Sequence, residues 1–445
     1  MTHYLLTLQL VAITNATVID VTSGTKTANQ TIVVEGRRIA IVGPAAATTF
    51  PAGARVIDAR GKFVVPGFWD MHVHMDVPGG RPLIPLYVAY GVTGVRDMNG
   101  SLGNLRRFQR EINSGQLVGP RMVVSGPYIA GAPVPLPHLI ARTAAAGVAA
   151  VDSLRKLGVD FIKVHNAVTP EAFFAVARTA RERGIVFAGH VFPPVTPLQA
   201  SDSGIRSQEH LSSFPNECSA ADSTAFAHAL PLQRFLLGGC TREPQTPIYT
   251  RIARNGTWMT PTLTVQQPLA DLVAVAQPGS ETAAHYSDSL LALMRIVMPM
   301  PANPPAAARD AGRAMLAKRV AMVGTMHRAG IPMLTGTDSP IAPSPPGTAV
   351  HDELDLLVRA GLSPLAALRA ATVEPARYLA ATDSLGSITP GKVADLLVLD
   401  ADPTVDIRNS RRIHVVLADG RVYDAAARAA IVDAVRQSAA ASRNR

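Results

Sequence analysis

The chain has 445 residues, 47% of them hydrophobic and 17% charged, which suits one large packed domain plus a smaller one and excludes a disordered chain. A formal charge of +9 would suit nucleic acid, but the basic residues are scattered, as at Arg37-Arg38 and Arg411-Arg412. Aromatics make up only 5%, so the charge reads as a solvated surface with a slight bias toward anionic small molecules.

Cys218 and Cys240 are the only cysteines, too few for a disulfide framework or a thiolate zinc site. Two unpaired thiols are expected, or one bridge if the protein is exported. Tyr4 to Ile13 is apolar but has no Lys or Arg before it and no small-residue cleavage pattern, and it is too short to span a bilayer. The chain as given reads as mature, soluble and cytoplasmic, with a periplasmic or secreted location the alternative if an export signal has been removed.

Residues 1–64 read as short strands with turn punctuation: Ile13 to Val21, Thr31 to Val34, Arg38 to Val42 and Arg55 to Asp58. Such a meander needs partners, and residues 381–424 supply strand-like Ala394 to Asp400, His414 to Ala418 and Gly420 to Tyr423. The two ends are expected to form one small β-sandwich, followed by an Ala-rich helix or tail over 425–445.

Between them, residues 65–380 alternate short apolar strands with helical stretches, the pattern of a parallel α/β fold. Eight candidate strands are Phe63 to His74, Gly94 to Met98, Arg121 to Ser125, Phe161 to Val164, Ile185 to Val191, Ser207 to Leu211, Trp258 to Val265 and Met333 to Asp338. That number predicts a (β/α)8 TIM barrel. Between strands four and five a helix is expected, with Thr169 as N-cap, Pro170 at its first position and Phe173, Val176, Ala177 and Ala180 on its apolar face. Residues 266–332, rich in Pro and Met, are too long for an ordinary connection and read equally well as a lid over the barrel mouth or as a packing helix.

The chemistry-bearing residues fall at strand ends. His72 and His74 lie one residue apart, so on a strand both rings face one side. Lys163, His190, His210 and Asp338 sit at or near the ends of strands four, five, six and eight, and in a barrel all of these converge on one face. Taken singly, each has a plainer role as a salt-bridge lysine, a core histidine or a helix-capping acid; taken in this order they make a metal cage.

The chain resembles the metal-dependent amidohydrolase superfamily over nearly its whole length. The residues that carry the likeness are Ala12 to Asp20, Pro66-Gly67-Phe68-Trp69-Asp70-Met71-His72-Val73-His74 and Gly386 to Leu396. Within the superfamily it is most similar to the imidazolonepropionase-like and Xaa-Pro or Xaa-Lys/Arg dipeptidase-like branch. The resemblance implies a binuclear metal centre in which His72, His74 and Asp338 hold one ion, His190 and His210 the second, and Lys163, carboxylated by CO2 to a carbamate, bridges both.

Two Zn2+ per chain suit imidazole and oxygen ligands with open positions, and Mn2+ or Co2+ would fit as well. A metal-bridging hydroxide would attack the scissile carbonyl, and Asp338 would take the proton and return it to the leaving amine. Tyr128 and His165 are the expected substrate contacts; His138 and His351 lie in segments expected to reach the same face, where packing is an equally good role.

The expected activity is hydrolysis of an amide bond in a small molecule: a dipeptide, an N-acyl amino acid or an ochratoxin-like amide. The alternatives are a mononuclear cyclic-amide hydrolase or aminohydrolase, with Lys163 only structural, and a metal-free binding or scaffold protein on the same fold. Beyond the substrate, no nucleic acid or membrane partner is expected, and apolar lid segments are compatible with a homo-oligomer.

Overall fold

The computed structural model describes residues 10–273, 280–341, 343 and 345–443. Most of the apolar stretch from Tyr4, six residues of the expected lid and the last two of the tail lie outside them.

In chain order the strands are β1 (Leu10–Ile19), β2 (Lys26–Glu35), β3 (Arg38–Pro44), β4 (Arg55–Asp58) and β5 (Phe63–Pro66), then β6 (Phe68–Val73), β7 (Val92–Asp97), β8 (Arg121–Val124), β9 (Tyr128–Ala130), β10 (His138–Ile140), β11 (Ile162–Val164), β12 (Phe187–Gly189) and β13 (Ser207–Glu209). They are followed by β14 (Asn216–Glu217), β15 (Cys240–Thr241), β16 (Trp258–Thr260), β17 (Leu396–Leu399), β18 (Ile413–Ala418) and β19 (Arg421–Tyr423).

The two chain ends do meet, but as a single hydrogen-bonded sheet rather than the expected sandwich of two. Its order is β19-β18-β17-β5-β1-β2-β3, with β4 beside β1. The sheet curls, because Ile39 N donates to Lys392 O at 2.9 Å and Ala394 N to Arg37 O at 2.9 Å, bringing β3 to the segment that leads into β17. Strand alternation divides its side chains between two cores. Val64, Leu396, Val398, Val415 and Leu417 fill the sheet's own interior with Val11, Ile13 and Ile32, while Val65, Leu397, Leu399 and Val416 face the large core shared with Phe68, Val92 and Leu354.

The central region is α/β with parallel strands, in the order expected of an eight-stranded barrel. Its ladders fall into two arcs, β6-β7-β8 and β10-β9-β11-β12-β13-β16, which do not close into one continuous sheet. The expected eighth strand carries only bridges: Met333 to Met259 on one side and Ser339 to Val73 on the other, helped by Met71 N donating to Thr335 O at 2.8 Å and Asp338 N to His72 O at 2.7 Å. The candidate strand Phe63 to His74 breaks at Gly67, whose absent side chain leaves room for Thr93, only 2.2 Å from where a Cβ would stand. Its first half belongs to the terminal sheet and its second to the barrel strands. Trp258 to Val265 likewise ends early, at Thr260, and turns into the helix Leu263–Asp271.

The helix after β11 spans Pro170–Glu182, with Thr169 Oγ1 accepting from Ala172 N at 3.2 Å and Phe173, Val176, Ala177 and Ala180 buried. Residues 266–332 hold helices over Glu281–His285, Asp288–Val297 and Ala306–Arg328. Cys218 and Cys240 are joined in a disulfide, which corrects the expectation of two free thiols and ties β14 to β15. Among the described residues no helix is long and apolar enough to cross a membrane.

Candidate metal centre

Parallel strands deliver the cage. His72 is in β6 and His74 just beyond it, Lys163 is the middle residue of β11, and His190 and His210 directly follow β12 and β13. Asp338 closes the set beside β6. Two groups of potential ligands result, His72 with His190 and His210, and His72 with His74 and Asp338, each with ligand atoms within 4.8 Å of one another. Asp338 Oδ1 lies 2.9 Å from His74 Nε2 and 3.2 Å from His72 Nε2. The His72 ring centroid is 4.3 Å from that of His210, which is 4.8 Å from that of His190.

Backbone strain marks the same place. His210, Leu211, Ser213, Thr262 and Asp338 all have φ between 47° and 62°, a region that side chains other than glycine occupy at a cost and that clusters at functional sites.

Three of the four imidazoles are tied through Nδ1. His72 Nδ1 lies 2.8 Å from Glu209 Oε2, His190 Nδ1 2.6 Å from Asn166 Oδ1 and His210 Nδ1 2.6 Å from Thr262 Oγ1. For His72 and His190 the partner oxygen is a carboxylate or amide acceptor, which puts the proton on Nδ1 and leaves Nε2 with a lone pair, the arrangement that prepares a ring for a metal. Burial, more than any neighbour, holds His190 and His210 well below the usual imidazole range. Burial likewise lowers His74. Burial works against charge on Asp338, yet His210, His72 and His74 around it hold its carboxyl well below the usual range.

Lys163 is fully buried and its Nζ has no hydrogen-bond partner. Burial pushes its pKa down to about 7, against the pull of Glu209 and Asp338. A buried, unpaired ammonium is costly, so this lysine is poised to be neutral. His74 Nδ1 is also buried without a hydrogen-bond partner. The imidazoles of His74, His190 and His210, all with lowered pKa, an ionised carboxylate and an orphaned amine fit a divalent cation with nitrogen and oxygen ligands.

Sequence reasoning missed the support beneath the cage. Glu209 is fully buried and sits between His72 and Arg96, whose Nη2 lies 2.9 Å from Oε1; Ser207 Oγ donates to the same oxygen at 2.6 Å. Burial alone would raise Glu209, but Arg96 and His72 hold it well below the usual carboxylate range. The one available signal was Arg96, a charged residue inside the apolar strand β7; β13 reads Ser-Gln-Glu and gives none. Asp70, one residue before the cage strand's Met71, accepts from Thr337 Oγ1 at 2.5 Å and from His72 N at 3.2 Å, locking β6 to the Asp338 segment.

Tyr128 and His165 stack at 4.2 Å between centroids, and both line a cavity of about 350 Å3 that opens from the cage. His138 and His351 do not line it. His138 Nδ1 lies 2.8 Å from Leu136 O, and the buried His351 is held between Ser410 Oγ at 2.9 Å and Tyr90 O at 3.0 Å, which makes it a packing residue. The far wall comes from Leu232, Phe235 and Leu236 of the helix Pro231–Leu237 and from Ile296, Val297 and Met298 of the 266–332 segment.

Residues 63–423 match the model of the amidohydrolase family. Among curated proteins, an adenine deaminase of Rubrobacter xylanophilus is 24% identical over 435 residues, which cover 92% of this chain and 57% of the deaminase; the chain thus spans little more than half the length of that relative. Among solved structures, a bottromycin amidohydrolase superposes with a TM-score of 0.74 at 22% identity, covering 97% of this chain and 90% of the other. A Xaa-Pro dipeptidase with methionine bound in its active site superposes with a TM-score of 0.67 at 21% identity, covering 94% and 100%. At these identities the structural likeness speaks for the fold.

Proposed function

The chain belongs to the amidohydrolase family, and from that premise we propose that it is a metal-dependent hydrolase of an amide bond in a small molecule, built on a (β/α)8 barrel and working through a binuclear centre. The observation that carries this reading is Lys163: a fully buried amine with no partner, set among four imidazoles and a carboxylate that are otherwise complete as a ligand set. His72, His74 and Asp338 would hold one ion, His190 and His210 the other. The neutral Lys163 amine would add to CO2, forming an N–C bond and losing a proton, to give a carbamate that would serve the centre as an anionic oxygen ligand. A divalent metal there supplies Lewis acidity toward water and toward the scissile carbonyl.

The protein's own groups do the rest. Asp338 Oδ1 faces His72 and His74, which leaves Oδ2 to take a proton from the attacking water and deliver it to the departing nitrogen. Tyr128 and His165, stacked on the cavity side of the cage, position the substrate. The cavity is walled by residues from the 266–332 segment, which supports its reading as a lid.

Metal analysis on protein supplied with zinc and bicarbonate tests the proposal. Two ions per chain, falling in Lys163→Ala, are expected. One ion indifferent to Lys163 would favour an aminohydrolase, the second reading that the adenine deaminase relative supports. A chain that takes up no metal would return the scaffold reading.

A further inference from the structure

The cavity that opens from the cage has one polar end and one apolar end. The polar end is the cage itself with His165. Beyond it the surface is mostly aliphatic and aromatic, with Asn166, Ser212, Thr262 and Gln266 as its uncharged polar members, and among the described residues no Lys or Arg lines it. The closest basic side chains along the chain are turned elsewhere: Arg234 donates to the carbonyls of Ala229 and Ala227, and Arg295 is exposed and outside the lining. Gln266, in the lining, has its Oε1 buried without a donor, while its Nε2 is spent on the carbonyls of His210 and Pro261. An acceptor in that position suits an N–H and repels a carboxylate.

The rim is apolar as well. Phe192 and Phe235 stack at 5.0 Å with their planes 2° apart. Phe235 is 54% exposed and Ile296, also in the lining, 67% exposed. Exposed large apolar side chains gathered around a cavity mouth mark a surface that a ligand covers.

We propose that the substrate is an uncharged amide with a bulky apolar group, which lies on Phe235, Ile296 and Leu236, and that free-carboxylate dipeptides and N-acyl amino acids are poor substrates. This rests on the hydrolase reading. A carboxylate entering the apolar end would lose its water and gain no cation. An acyl chain or aryl ring would instead bury apolar surface.

The test compares two substrates with the same scissile bond, octanoyl anilide and N-octanoyl-4-aminobenzoate, on metal-replete full-length protein. The neutral anilide is expected to have at least a tenfold higher kcat/KM, Phe235→Ala to lower it more for octanoyl anilide than for acetanilide, and Ile296→Arg to narrow the gap between the two octanoyl compounds. Equal or better cleavage of the aminobenzoate would overturn the proposal and leave the hydrolase reading standing.

Calorimetric binding of the uncleavable ketone isosteres, 1-phenyl-2-nonanone and 4-(2-oxononyl)benzoate, separates the two readings. Tighter binding of the neutral ketone with neither amide cleaved would support the apolar site and sink the hydrolase. Equal or absent binding of the two ketones with no cleavage would sink the proposal itself.

Discussion

Glu209 does not line the cavity, yet its carboxylate holds His72 on one side and Arg96 on the other. Glu209→Gln keeps the shape and removes the charge, leaving the guanidinium of Arg96 buried and uncompensated. The expected cost is about 3–5 kcal/mol of stability by denaturant unfolding, and metal affinity should fall roughly 10–100-fold because the His72 tautomer is no longer enforced. Asp338→Asn tests a different link. It keeps one oxygen for the cage but cannot accept a proton, so turnover should drop on the order of 10²–10⁴-fold while elemental analysis still finds metal; an active variant would remove Asp338 from proton transfer. The cage residues were legible because a barrel sends strand ends to one face, and His72, His74, Lys163, His190, His210 and Asp338 all stand at such ends. Glu209, Asn166 and Thr262 were not, since a residue that acts through another leaves no spacing of its own. Lining residues such as Leu232 and Phe235 were equally silent, because apolar side chains on a short helix read as core.

At the scale of elements, the stretch from Cys218 to Cys240 forms a covalently closed loop that carries the helix Pro231–Leu237 and hence one wall of the cavity. Replacing both cysteines by serine should lower stability by about 3 kcal/mol, as expected for a loop of this length. It should also raise KM for apolar substrates more than it changes kcat, since the cage lies outside the loop; equal effects on both would place the loop in the chemistry. Titration of the denatured, unreduced protein should find no free thiol. Two cysteines 22 residues apart carry no pairing information by themselves, whereas the capped helix Pro170–Glu182 does announce itself, through Thr169, Pro170 and a regular apolar face. Strand lengths were overread at Phe63 to His74 and Trp258 to Val265, where an apolar run continues across a change of sheet or into a helix and hydropathy does not register the turn.

For the molecule as a whole, stability should depend on pH through Glu353, buried where the helix Thr348–Arg359 meets Thr264. Burial pushes its pKa up to about 8, so the folded state holds a proton that the unfolded chain releases near the ordinary carboxylate value. Stability from this group is therefore full below about pH 4 and declines as pH rises toward 8. Glu353→Gln should match the parent at pH 4 or below and exceed it by roughly 4 kcal/mol at pH 8; a variant less stable at both would mean that the ionised form is the one the fold uses. The α/β barrel order was readable from alternation across some 300 residues, whereas the terminal sheet was read as two layers because strand patterns show which residues face inward but not how far a sheet curls. That sheet also dictates a schedule. β5 emerges early from the ribosome, but its partner β17 is synthesised only after the whole barrel region between them. The first five strands must therefore wait with an unpaired edge while the barrel forms, exposed to the wrong neighbours on crowded polysomes. A chaperone that shields amino-terminal strands during translation should raise the yield of this protein more than one that acts after its release.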